Sequence, residues 1–259
     1  MPILDKRVAV VMPAYNAEKT LRTTFHEIPK EWVDDVVLVD DASSDRTVDV
    51  ARAISGVHVV VHERNRGYGA NQKTCYATAL ARGADICVMV HPDHQYDASV
   101  LPELLRPIAE GKEDAMFGSR MLGGRPLEGG MPKWKYISNR FLTGSENLAF
   151  GLHLSEYHTG FRAYSRRLLE TLPFLLNSDD FVFDQDLIAQ VVAVGGLSIG
   201  EVAVPTRYFE EASSVNFRRS VVYGLSTLRV VARYLLHRTG VRRSRQLQPR
   251  VPAGETGAV

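Results

Sequence analysis

The residue types that do chemistry fall in short polar segments, each following an apolar run. The most telling is His91, Pro92, Asp93, His94 and Gln95, where an apolar run ending at Val90 delivers His91, Asp93 and Gln95 to one side. Carboxylate and amide oxygens suit Mg²⁺ or Mn²⁺, with water and diphosphate oxygens filling the rest of the shell. A polar loop with one capping aspartate is the plainer reading. Asp40 and Asp41 are adjacent carboxylates, and like charges at a strand end call for something to receive them, such as a base N–H or a ribose hydroxyl. Helix capping would account for Asp45 and leave Asp40 and Asp41 unused. Pro13, Ala14, Tyr15 and Asn16 end the first apolar run, and Tyr15 offers a flat face on which a base could stack; taken alone, the segment reads more plainly as a simple strand-to-helix turn. Gly67 and Gly69 open a helical stretch, where glycine permits close backbone approach and a helix N-terminus favours an anion; a tight turn needs the same residues.

The elements that position these segments alternate in period. Residues 8–12, 35–39, 57–62, 86–90 and 115–118 read as buried parallel strands. Between them residues 19–28, 45–54, 70–81 and 99–110 read as helices, with Ser44 or Asp45 capping the second and Ser99 the fourth. This alternation predicts a doubly wound α/β sheet, whose ligands bind at the carboxyl ends of the strands, where the polar segments lie. A glycine-rich loop at 122–131 leads into a second half with helices at 134–150, 166–172 and 184–194 and strands at 161–164 and 198–204. A basic amphipathic helix is expected at 220–238, and a disordered tail from 244 to 259.

The net charge of +1 hides an asymmetry. Positions 216–250 hold nine arginines and no acid; removing these and Glu255 from the totals of 31 basic and 30 acidic residues leaves 22 and 29, a net of −7, for positions 1–215. A basic arm on an acidic body suggests an anionic partner such as a membrane surface or a phosphate. Nucleic acid fits poorly, for want of an aromatic–basic groove. The two cysteines, Cys75 and Cys87, lack metal-ligand spacing and read as buried thiols, which with no signal peptide and no long apolar run points to a cytoplasmic protein, with the basic arm allowing peripheral contact at the inner face of the cell membrane.

In this order, VVMPAYNAEKT, VLVDDASSDRT, NRGYGANQ, MVHPDHQ, FGSR, HTGFRAYSR and FVFDQDL resemble the family 2 glycosyltransferases, most closely the dolichol- or polyprenyl-phosphate hexosyltransferases, over roughly residues 8–209. The resemblance implies a GT-A type α/β fold: a doubly wound, mostly parallel sheet with a nucleotide-sugar-binding half (1–121), an acceptor half (122–215) and a C-terminal amphipathic helix (216–243). It implies a divalent metal (Mn²⁺ or Mg²⁺), a nucleoside-diphosphate sugar donor and a lipid-phosphate or glycan acceptor. Pro13, Tyr15, Asn16, Asp40, Asp41, Gly67 and Gly69 would line the donor. Asp93 and Gln95, with His91, would hold the metal. Arg120, Lys135 or Arg140, and Arg162 of the Thr159–Gly160–Phe161–Arg162 run would face the acceptor, and Asp184 or Asp186 stands where the family places an acid near it.

This sequence departs from the family pattern at two places. His91 stands where the metal motif usually begins with Asp; imidazole carries no negative charge and suits Mg²⁺ poorly. The arginine and Ser-Lys pair that lipid-phosphate hexosyltransferases carry after the last strand is replaced by Arg207, Tyr208, Phe209, Glu210, Glu211, Ala212, Ser213 and Ser214, which makes a sugar hydroxyl a rival acceptor. Inverting transfer to a hydroxyl needs a general base, for which Asp184 or Asp186 is the candidate; an anionic phosphate relies more on Arg120 with Lys135 or Arg140. The competing readings are a decayed nucleotide-sugar-binding protein and a nucleotidyltransferase, the latter disfavoured because PAYNAEKT has no glycine.

Overall fold

The computed structural model describes residues 5–123, 126–205 and 217–250. A seven-stranded sheet runs in the order β3-β2-β1-β4-β6-β5-β7, from β1 (Val8–Ala14), β2 (Asp35–Asp40), β3 (Val57–Val61), β4 (Ile86–Met89), β5 (Ala115–Ser119), β6 (Arg162–Ser165) and β7 (Ile199–Ala203). The helices are α1 (Leu21–Glu27), α2 (Thr47–Arg52), α3 (Tyr68–Ala81), α4 (Leu101–Ala109), α5 (Lys133–Phe150), α6 (Arg166–Thr171), α7 (Phe183–Val194) and α8 (Phe217–Arg238).

Strand periodicity divides β1 between two cores. Ala9 and Val11 face a layer built with α3, α5, α6, α7 and α8; Val8, Val10 and Met12 face one built with α1, α2 and α4. Burial on both faces explains the continuous apolar runs of β1, β2 and β4. In α4, Leu101, Leu104, Leu105 and Ile108 recur at helical spacing and are buried, each contributing about 1.5–3 kcal/mol. Chain order reverses between β1 and β4, which are parallel neighbours. A doubly wound sheet opens its crevice at such a switch point, and the segments after β1 and β4 are those with Tyr15 and Asp93.

Several expectations are corrected. β3 is an edge strand and only partly buried. β6 lies antiparallel between β4 and β5, so β5 has its parallel partner in β7. The turn before α4 is capped by Asp97, whose side chain accepts from Ser99 N, rather than by Ser99. At α2 the N-cap position is Arg46, which makes no side-chain cap bond, rather than Ser44 or Asp45; Asp45, one residue earlier, accepts from Thr47 N through Oδ1 at 2.9 Å. Cys75 and Cys87 are buried free thiols, and burial pushes the Cys87 thiol up to about 12.

The tail is docked as far as Arg250. Leu247 is buried against α7, Gln190 Nε2 donates to the Gln246 carbonyl at 2.9 Å, and Arg250 N donates to the Thr171 carbonyl at 2.8 Å. One apolar anchor and satisfied backbone groups suffice to order a polar segment; positions 251–259 of the expected tail lie outside the described residues. Leu247→Ala should therefore lower unfolding free energy by about 2 kcal/mol or more in denaturant titration, whereas a change within about 0.5 kcal/mol, as for an exposed site, would mean the segment is not packed.

Candidate active site

The donor-side carboxylates are satisfied by the chain itself. Asp40 is fully buried and accepts from Ser43 N at 2.9 Å and Ser43 Oγ at 2.5 Å. Asn16, at φ 52°, ties the β1 and β2 ends together, its Oδ1 accepting from Ser44 N at 2.9 Å and its N–H donating to Ser43 Oγ at 2.8 Å. Asp41 takes His62 Nδ1 at 2.7 Å, Arg66 N at 2.9 Å and Gly67 N at 2.9 Å. These bonds answer the mutual repulsion of the two acids. Pro13 sits within β1, while Tyr15 is 55% exposed and stands clear at its end.

Gly67 and Gly69 have a different partner from the one expected. Gly69 N and Ala70 N donate to the Asp179 carbonyl at 2.8 and 3.2 Å. A Cβ on Gly67 would meet that oxygen at 2.5 Å, and one on Gly69 would meet the Ser178 carbonyl at 2.3 Å. The close approach is to the 178–180 backbone, and a protein carbonyl occupies the anion position at the start of α3. Lys73 Nζ locks the same loop through the Asn177 carbonyl at 2.5 Å and Asp179 Oδ1 at 2.6 Å. Tyr68, between the glycines, is stacked between His91 and Phe181 with centroids at 5.5 and 5.0 Å.

After β4, Asp93 Oδ1 accepts from Gln95 N at 3.1 Å, and His94 takes a positive φ of 59°. One nitrogen of His91 is engaged by a phenol: its Nε2 is 3.0 Å from the Tyr68 hydroxyl. No group of three His, Cys, Asp or Glu side chains converges as a metal cage among the described residues. The donor set, a half-buried carboxylate beside an amide, fits a hard cation that keeps its waters and arrives with substrate phosphates.

The two candidate acids separate. Two residues along α7 they point about 200° apart. Asp186 faces α8, accepting from Ser178 N at 2.8 Å and pairing with Arg233. That pairing gives it a bracing role. Asp184 faces the sheet, with Oδ1 3.3 Å from Gln72 Nε2 and 3.8 Å from Arg162 Nη1, and Oδ2 3.4 Å from the Tyr68 hydroxyl. Of the two, Asp184 shares a cluster with His91.

Two of the expected acceptor cations are turned inward. Arg162 is 0% exposed; its Nε and Nη2 donate to the Thr159 and Tyr157 carbonyls at 2.6 Å each, and its guanidinium lies 4.7 Å from the Phe117 ring centroid. Burial opposes its charge, yet Asp184 and Tyr164 more than compensate and it stays protonated. Arg120 grips Glu156, Nε to Oε1 at 2.9 Å, and donates to the His158 carbonyl at 2.7 Å. Burial works against the charge of Glu156, but Arg120 holds its carboxyl below the usual range. Arg140 is exposed on α5 with Nη1 3.0 Å from the Ser155 carbonyl. Burial, then Arg120, pulls the Lys135 amine below its usual range.

Tyr68, His62 and Glu156 are the residues that the sequence reading missed. Tyr68 lies inside NRGYGANQ, where its flanking glycines drew the attention. Glu156 carries a usable signal, an acid a few residues before HTGFR, but its partner is 36 residues away.

Comparison with known proteins gives this geometry its class. Glucosyl-3-phosphoglycerate synthase from Mycobacterium tuberculosis, solved with Mn²⁺, UDP-glucose and phosphoglyceric acid, superposes over 93% of this chain and 82% of its own with a TM-score of 0.66 at 22% identity. The fold is that of the GT-A glycosyltransferases. Residues 9–172 match the family model described as Glycosyl transferase family 2, and the chain belongs to that family and is a glycosyltransferase. It is 26% identical over 222 residues to UDP-N-acetylglucosamine--dolichyl-phosphate N-acetylglucosaminyltransferase of Methanococcus voltae, covering 80% of this chain and 88% of the relative. To undecaprenyl-phosphate mannosyltransferase of Micrococcus luteus it is 29% identical over 199 residues, covering 73% and 79%.

Because Gly69 is packed on protein backbone, Gly69→Ala should lower thermal stability without any nucleotide present, by about 1–3 kcal/mol. Unchanged stability of the free protein with loss of nucleotide binding alone would instead show that the space serves a ligand.

Proposed function

We propose that this glycosyltransferase moves a hexose, with inversion, from a nucleoside-diphosphate sugar to a polyprenyl phosphate at an anionic membrane surface. The observation that carries the acceptor assignment is a set of exposed apolar residues on two helices packed together, in a chain whose C-terminal stretch is rich in arginine. On α5, Ile137, Phe141 and Leu148 are 66, 64 and 88% exposed, and on α8, which packs against α5, Val221, Val222 and Leu225 are 46, 55 and 53% exposed. These residues, with nine arginines and no acid at 216–250, suit anionic lipid. Among the described residues no helix is long and apolar enough to cross a membrane, so the contact is a surface one. The names of the two curated relatives, both transferases to polyprenyl-type phosphates, agree.

Tyr15 offers its exposed ring to the base, and the loops braced by Asp40, Asp41 and Asn16 form the rim of the ribose site. Asp93 and Gln95 would hold the divalent metal, which when bound would supply positive charge to neutralise the leaving diphosphate. Lys135 and Arg140 on α5 attract the acceptor phosphate. Asp184 accepts the proton of the attacking oxygen where that oxygen carries one, as a hydroxyl always does and a phosphate monoester does at about pH 6 and below.

A hydroxyl acceptor is the second reading, favoured by the inward turn of Arg120 and Arg162, which leaves fewer cations for a phosphate while Asp184 stands ready as a base. The Glu210 and Glu211 departure that raised this reading lies outside the described residues.

Thermal stabilisation by GDP, UDP, dTDP and CDP, each with Mn²⁺, Mg²⁺ or chelator, tests the donor site. One diphosphate with metal should stabilise by about 2.7 kcal/mol at hundredfold excess over its dissociation constant, and Asp93→Ala should remove the metal-dependent part. Sugar transfer from the matching donor should then require undecaprenyl phosphate in anionic vesicles. No stabilisation by any diphosphate would defeat the donor reading; transfer to soluble hydroxyl compounds but not to the lipid would favour the second acceptor.

A further inference from the structure

Tyr68 and His91 are joined to each other and to Asp184 in a way that neither donor binding nor core packing requires. The Tyr68 hydroxyl sits 3.0 Å from His91 Nε2 and 3.4 Å from Asp184 Oδ2. The His91 ring has little freedom: it lies at 19° to the Tyr68 ring, and a Cβ on Gly160 would meet its Cδ2 and Nε2 at 2.7 Å each. Gly160 is itself fixed, its N–H donating to the Tyr96 hydroxyl at 2.9 Å.

We propose that His91 and Tyr68 form a directed hydrogen-bond link that positions the Asp184 carboxylate for the transfer, so that the residue replacing the family's first metal-motif acid serves the acid on the acceptor side. The inference rests on the reading of Asp184 given above. A phenol has one proton, and of its two neighbours the carboxylate is the charged acceptor and makes the stronger bond. The Tyr68 hydroxyl therefore donates to Asp184 and accepts from His91 Nε2–H, which fixes the imidazole as its Nε2–H tautomer. Burial, with Asp184 nearby, keeps the phenol protonated. The 3.4 Å contact is long for O–H···O, as catalytic hydrogen bonds commonly are before substrate binds. On the other side of Asp184, Gln72 at 3.3 Å and Arg162 at 3.8 Å complete the cradle. Tyr68 and His91 are positioning residues: they act on the reacting atoms through Asp184.

The test uses the full chain, undecaprenyl phosphate vesicles and the donor whose diphosphate stabilises the protein. Tyr68→Phe keeps the stacked ring and removes only the hydroxyl. It should lower kcat about tenfold to hundredfold with donor KM within about twofold, and stabilisation by diphosphate with Mn²⁺ should be unchanged. His91→Leu should match it, His91→Gln should restore most of the rate because its amide still donates, and the double variant Tyr68→Phe/His91→Leu should be no slower than either single one. Long-range ¹H–¹⁵N spectra should show the Nε2–H tautomer of His91 in the wild type, whether or not a donor has been found. A Nδ1–H tautomer, a wild-type kcat in Tyr68→Phe, additive losses in the double variant, or a kcat loss matched by loss of metal-dependent stabilisation would each overturn the link. A wild type that turns over no donor would sink the proposed function instead, and the spectra would still report on the hydrogen bond.

Discussion

A buried guanidinium with no exposed surface must find hydrogen bonds and a counter-charge inside the protein, and the way Arg162 does so organises the centre of this molecule. Its nitrogens hold the carbonyls of Tyr157 and Thr159, its charge faces Asp184, and its plane lies near Phe117. Removing one side of such a buried pair costs about 3–5 kcal/mol, because the other charge is left unpaired. The Thr159–Gly160 turn that it anchors is also the turn against which His91 packs. One interaction thereby fixes the strand β6, the orientation of Asp184 and the ring of His91.

The same logic governs the donor side. Asp40 and Asp41 would repel each other at the end of β2 without donors, and the chain supplies these from Ser43, His62 and the 66–67 backbone. The loops so braced keep exposed tips, Tyr15 among them. Gly67 and Gly69 let the 178–180 backbone close on the start of α3, which brings Phe181 onto Tyr68 and joins α3 to the helix that carries Asp184. Where the elements meet, the function of a glycine is set by what approaches it, and here that is protein.

Much of this was legible in the sequence because it is local. Strand periodicity, the polar segments at strand ends and their order identify the sheet and the family. What was hidden depends on pairing across long separations. Nothing near Arg162 or Arg120 says that each is taken inward, Arg120 by Glu156 36 residues on. The antiparallel insertion of β6 is equally silent, since a four-residue strand carries no direction. Asp184 and Asp186 are indistinguishable by type, and only the 3.6-residue turn and their partners, Tyr68 and Gln72 for one and Arg233 for the other, tell them apart. Residues 244–250 read as part of a disordered tail from their polar composition, although Leu247 was enough to dock them.

The separation of those two acids is the central claim, and comparing Asp184→Asn with Asp186→Asn measures it most directly. Both changes keep shape and remove charge. Single-turnover transfer from the matching nucleotide sugar should fall at least about a hundredfold in Asp184→Asn, in line with the loss of a general base, with diphosphate still bound. Both variants should unfold more readily, Asp184→Asn having left the buried Arg162 without its counter-charge and Asp186→Asn having lost its pairing with Arg233, but Asp186→Asn should transfer at close to the wild-type rate. The reverse pattern, with rapid transfer by Asp184→Asn and a stable but inactive Asp186→Asn, would contradict the account.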